Sequence, residues 1–182
     1  MIYKNLINKN MNVLLKNLGL KVFPFVLILI LIFSRLIPHP PNFTPIIAAA
    51  VMSNYLFKNI YISLFILLTS MFLSDLIIGT HGNFFFVYFS LFLITIFCRK
   101  IIKHIDVKNL LLLSLFSSLM FFVITNFGVW ALTGMYEKNL NGLLYCYLLA
   151  IPFFTNTIIS TVIFSYLTYA VNNFYYKKLL HS

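Results

Sequence analysis

The sequence predicts an all-α integral membrane protein with six transmembrane helices and both termini in the cytoplasm. Three observations carry that expectation. Of 182 residues, 62% are hydrophobic and 9% are charged, where a soluble domain carries about 25% charged residues. The apolar residues gather into six segments, roughly 22–37, 45–57, 60–78, 84–98, 110–134 and 143–171. The basic residues fall in the short connections, on alternate sides. The organisation is one transmembrane domain, 22–171, between a basic N-terminal segment, 1–21, and a basic tail, 172–182.

Each segment is judged by length, since a straight span needs about 20 residues. The third, fifth and sixth are long enough. The first is shorter, and Lys21 and Arg35 flank it, where long basic side chains reach toward water. The second and fourth are short, and each reads either as a tilted helix supported by neighbours or as a re-entrant segment. Six helices are preferred because the charges then sort cleanly. The N-terminal lysines ahead of the first segment resemble a signal peptide, but no small-residue cleavage site follows closely, so the segment is expected to stay. Helix starts support the count. Thr44 before Pro45 reads as an N-cap followed by proline at the first helical position. Asn59, Asn83, Asn109 and Asn141 each precede an apolar run and read as N-caps. Pro152 can break the sixth helix and free a carbonyl.

With the N-terminus inside, Lys4, Lys9, Lys16, Lys21, Lys58, Arg99, Lys100, Lys103, Lys108, Lys177 and Lys178 are all cytoplasmic. Only Arg35 and Lys138 of the 13 basic residues fall outside. The net charge of +10 therefore belongs to membrane topology, and no nucleic-acid partner is expected.

Three loops then face outward, Pro38–Thr44, Gly79–Asn83 and Met135–Asn141, and they hold most of the chemical variety. The first is an elbow, with His39 and four prolines between Pro38 and Pro45. Proline fixes its own φ, so the elbow is stiff and would hold Arg35, His39 and Asn42 at the mouth of a pocket. A tight turn with no ligand reads the same residues equally simply. Asp75 is the most informative single residue. It falls in the last turn of the third helix, where the dipole is unfavourable to an anion. Arg35 lies at matching depth, so an Arg35–Asp75 pair is one reading; separate extension of both side chains to water is the other.

The fifth helix carries Ser114, Ser118 and Thr125 on one stripe and Asn126 and Trp130 on another. The sixth carries Thr157, Thr161, Ser165 and Thr168, with Asn156 alongside. Hydroxyl stripes usually bind helix to helix in lipid. Asn126, Trp130 and Tyr136 could instead line a pocket opening outward, with Trp130 open to a second reading as an interfacial belt residue. His81 and Asn156 complete the candidate substrate-binding set of Arg35, His39, Asn42, Asp75, His81, Asn126, Trp130, Tyr136 and Asn156.

The chain contains no GxxxxGK[ST], no HExxH and no GxSxG. No nucleophile, base and oxyanion donors assemble, so no catalytic residue is assigned and an enzyme is not expected. His39, His81 and Cys146 lack the tight spacing of metal ligands, and no metal or cofactor is expected. Cys98 and Cys146 lie near opposite faces, too far apart for a disulfide.

Four stretches, RLIPHPPNFTPIIAAAV, LSDLIIGTHGN, ITNFGVWALTGMY and GLLYCYLLAIPFFTNT, carry a resemblance over roughly residues 33–170. They resemble a family of small bacterial membrane proteins of unknown function, described as transport proteins. That family is similar to the substrate-binding S components of energy-coupling-factor (ECF) vitamin transporters. The resemblance implies a six-helix S-component-like bundle in the bacterial cytoplasmic (inner) membrane. It implies a vitamin or related micronutrient bound near the outer face, under the loops joining helices 1–2, 3–4 and 5–6. It also implies a transmembrane scaffold subunit and cytoplasmic ATPases as partners, alongside membrane lipid. The AxxxA face that many S components present on the first helix is missing; Ala49 and Ser53 on the second are a poor substitute.

Two function classes follow. One is uptake of a small micronutrient bound from outside. The other is a structural membrane protein that scaffolds a cell-envelope complex, which needs no polar, aromatic-lined outer pocket.

Overall fold

The computed structural model describes residues 22–80, 82–101 and 105–180, the last six by backbone alone. These residues form seven helices and, among the described residues, no strand. They are α1 (Val22–Leu36), α2 (Ile46–Phe57), α3 (Ile60–Ile78), α4 (Phe84–Ile101), α5 (Val107–Leu132), α6 (Leu140–Leu149) and α7 (Ile151–Leu180). Four of them, α3, α4, α5 and α7, are long and apolar enough to cross a membrane. Large apolar side chains such as Phe25, Leu76, Phe85 and Leu167 point outward. The chain is therefore a multi-pass membrane protein by helix length and composition.

The helix ends follow local hydrogen bonding more closely than position before an apolar run. Asn59 caps α3, with Oδ1 accepting from Tyr61 N–H at 2.9 Å and Ile62 N–H at 3.4 Å. The other expected caps need correction. Asp106 caps α5 through Oδ1, which accepts from Asn109 N–H, so Asn109 lies inside the helix. Asn139 caps α6 by accepting from Gly142 N–H at 2.8 Å, two residues before Asn141. Asn83 turns its side chain away from α4 and donates to Thr125 O on α5 at 2.8 Å. Pro45, not Thr44, is the N-cap of α2, with no side-chain cap bond.

The sixth apolar segment is split. α6 ends at Ala150, whose N–H turns back to Tyr147 O at 3.2 Å, and α7 starts at Ile151 with Pro152 in its first turn. Proline is tolerated there because its missing N–H has no intrahelical partner. α6 and the first part of α7 together run antiparallel to α5. Cys146 meets Asn126, Phe154 stacks on Phe122 at 4.5 Å, and Tyr166 donates to Val107 O at 2.5 Å. The hydroxyl stripes pack this pair of helices. Ser114, Ser118, Thr161 and Ser165 are fully buried.

Helix α2 is the centre of the bundle, packed against α3, α4, α5 and α7. At 12 residues it spans about 18 Å, too short for hydrocarbon alone. Ile46 to Asn54 is buried almost throughout, so protein rather than lipid surrounds it. Its C-terminus lies at the basic end, where Arg99 donates to Lys58 O at 3.4 Å. Asn54 reaches Thr95 O on α4 at 2.7 Å. The core around it includes Leu31, Met52, Ile66, Leu91 and Leu110.

Candidate functional site

The loop from Ile37 to Pro45, exposed as far as Asn42 and half-buried from Phe43, joins α1 to α2 and lies along α7. Asn156 Nδ2 donates to Pro41 O at 3.0 Å, and Ser160 Oγ to Asn42 O at 3.4 Å. Farther along, the Phe43 ring meets Phe164 edge-on at 6.0 Å, and Tyr55 lies 6.5 Å from Tyr169. Loop and helix thus run together along α7. Two of the loop's carbonyls, Pro41 O and Asn42 O, find their partners on α7. Asn42 takes φ 61°, in the left-handed region that asparagine tolerates. Phe43 N–H closes the turn on Pro40 O at 3.0 Å.

Above this loop, Arg35 and Asp75 form an ion pair, Nη2 to Oδ1, at 2.7 Å. Arg35 Nη1 also donates to Met71 O at 3.1 Å and to Ser74 Oγ. The second carboxylate oxygen accepts from Tyr88 OH at 2.7 Å. Asp75 is 4% exposed and Arg35 15%, so neither extends freely to water. The cluster locks α1, α3 and α4 together and cancels its own charge. Tyr88 was not anticipated from the sequence. Its signal is that it carries the only hydroxyl among the rings at the start of α4, in FFFVYF.

The loop from Thr133 to Asn139 is built around Trp130. The indole Nε1 donates to Glu137 O at 2.9 Å, and Lys138 Nζ donates to Trp130 O and Thr133 O while lying 5.6 Å from the ring centroid. Asn139 Nδ2 donates to the Glu137 carboxylate at 2.7 Å. Gly142 is required beneath: a Cβ there would collide with the Glu137 backbone.

Between these loops lies a cavity of about 580 Å³. Pro41 and Asn42 come from the first loop, Asn83 from the turn before α4, and Met135 and Tyr136 from the last loop. Phe121, Phe122 and Phe153 give aromatic walls, with Thr125, Asn126, Cys146 and Thr157 among them. Asn126 donates back to Phe122 O at 2.8 Å.

Of the nine expected site residues, Asn42, Asn126 and Tyr136 line this cavity. Arg35 and Asp75 face each other instead, because each is the other's closest compensation in a dry environment. Trp130 clamps its own loop, and Asn156 is spent on Pro41 O. His39 is exposed, with Nδ1 2.8 Å from Pro40 O. His81 lies outside the described residues. Asn83, which was expected only as a cap, is a cavity residue. It reaches α5 because Gly128 has no side chain; a Cβ there would strike Asn83 Oδ1 and the Phe86 ring.

No curated protein and no solved structure matches the chain. A family model does match it, over residues 17–181. That is nearly the whole chain, the cavity and the Arg35–Asp75 cluster included, so the protein belongs to DUF6580, a family of unknown function.

Proposed function

We propose that this protein is a six-span uptake protein of the bacterial inner membrane that binds a small micronutrient, a vitamin or precursor, from outside. The observation that carries the reading is the convergence of three loops on one cavity. Residues of the α1–α2, α3–α4 and α5–α6 connections share its wall. These are the loops that the distribution of lysine and arginine puts on the outer side. A cavity of this size, with aromatic walls and a few amides, fits a drug-sized ligand.

In this reading α6 and the first part of α7 form one kinked sixth span opposite α5, and both termini are cytoplasmic. The likeness to ECF S components belongs here too. Like them, the protein would work with a membrane scaffold and cytoplasmic ATPases, and the chain's lack of a P-loop agrees with that. Substrate enters between the loops, the loops close, and the bundle reorients to release it inward. The proline elbow lowers the entropy cost of closure because it is stiff before ligand arrives.

The test is thermal unfolding of the detergent-purified protein against a panel of vitamins and their precursors. A ligand at 100 times Kd adds about 2.7 kcal/mol to native-state stability. The expected result is a shift with one compound, lost in Asn126→Leu. Silence across the panel, with protein partners co-purifying, would replace uptake by a scaffolding role.

A further inference from the structure

We infer that the ligand of the cavity carries no net charge and is a partly aromatic molecule with an amide-like or hydroxyl edge. This deepens the uptake reading and rests on it. Among the described residues, not one of the cavity's lining side chains is Lys, Arg, His, Asp or Glu. A charged ligand would thus give up part of its water against apolar walls and gain no counterion from them.

Among the described residues, the charges of Arg35, Asp75, Glu137 and Lys138 around the cavity are already committed. Asp75 is 4% exposed; its Oδ2 accepts from Tyr88 OH, and its Oδ1 faces the Arg35 guanidinium at 2.7 Å as an ion pair without an aligned hydrogen bond. A cation that displaced Arg35 would leave a guanidinium among apolar helices. An anion that recruited Arg35 would strand Asp75 in the same way. Beside Tyr136, Glu137 is held by Asn139, and Lys138 is held by the carbonyls of Trp130 and Thr133.

What the cavity does offer is neutral hydrogen bonding. Asn83, 7% exposed, contributes to its wall but is spent on α5, with Nδ2 donating to Thr125 O and Oδ1 packed against Gly128. Asn42 and Asn126 add amides, each with donor and acceptor ends, and Tyr136 adds a hydroxyl. Carboxamides, lactams and sugar-like hydroxyls match that set. Phe121, Phe122 and Phe153 supply ring faces for an aromatic part.

The experiment sorts binding by charge at pH 7, reading the fluorescence of the single tryptophan, Trp130, and unfolding temperature. The probes are nicotinamide, nicotinate and 1-methylnicotinamide, then riboflavin and riboflavin 5′-phosphate, together with charge variants of any hit from the vitamin panel. The expected result is that the hit is uncharged and that its charged variants bind at least 30-fold more weakly. Asn126→Asp should lower affinity for the neutral hit and raise it for a cationic variant. Tyr136→Phe, the milder change, should weaken the neutral hit several-fold while the protein still unfolds cooperatively. A hit that is charged, or charge variants that bind equally well, would overturn the inference and leave the uptake reading standing. Silence of the whole panel would remove the uptake reading, and the inference with it.

Discussion

Arg35 and Asp75 meet at 2.7 Å across the ends of α1 and α3, and the pair is almost closed to solvent. Breaking one side of such a pair is worse than never having had it, because the surviving charge stays buried. Asp75→Asn is expected to destabilise the protein by about 3 kcal/mol, and the double change Arg35→Met, Asp75→Leu by clearly less. Thermal unfolding of the two variants in detergent checks this. Equal losses would show that the pair is not the compensating contact.

Gly128 makes the close approach of α4 to α5. Gly128→Ala is expected to cost about 1–3 kcal/mol, because Asn83 and Phe86 must move. Gly134→Ala, where a Cβ meets open space, should change stability little. The pair of melting curves separates packing from a general intolerance of alanine.

Asn156 holds the carbonyl of Pro41. Asn156→Ala removes the donor to that exposed carbonyl and is expected to cost about 0.5–1.5 kcal/mol. Ligand affinity should fall with it, since the neighbouring Asn42 helps to form the cavity wall. A stability loss with unchanged affinity would detach the loop from the binding site.

The proposed orientation is testable by labelling. In a Cys98→Ser, Cys146→Ser background, His39→Cys should react with an impermeant maleimide in intact cells. Lys108→Cys should react only after the membrane is opened. The reverse pattern would invert the topology and put the cavity on the inner side.

The parts of this architecture that show in the sequence are those with one candidate partner. Arg35 is the only arginine near the depth of Asp75, so their pairing was one of the two readings the sequence left open, and the structure has it at 2.7 Å. Asn59 stands alone before α3 and caps it. Where two candidates compete, sequence position fails. Asp106 takes the cap from Asn109, and Asn139 takes it from Asn141, because each sits where its oxygen meets the third amide onward. Asn83 was hidden for a different reason. Its partner, Thr125, is 42 residues away, and the approach depends on a glycine whose role is steric. The placing of the proline elbow is likewise a tertiary effect, since its carbonyl partners belong to α7.

The distance along the chain between that elbow and its partners sets an order of assembly. Pro41 and Asn42 are made 115 and 118 residues before Asn156 and Ser160. While the intervening helices are being synthesised, the carbonyls of the elbow have neither α7 nor a finished cavity around them. α2 meanwhile is too short to hold a place in lipid by itself. Those two contacts of the elbow can form only once α7 has been made, and they are among the closures of longest sequence separation in the fold.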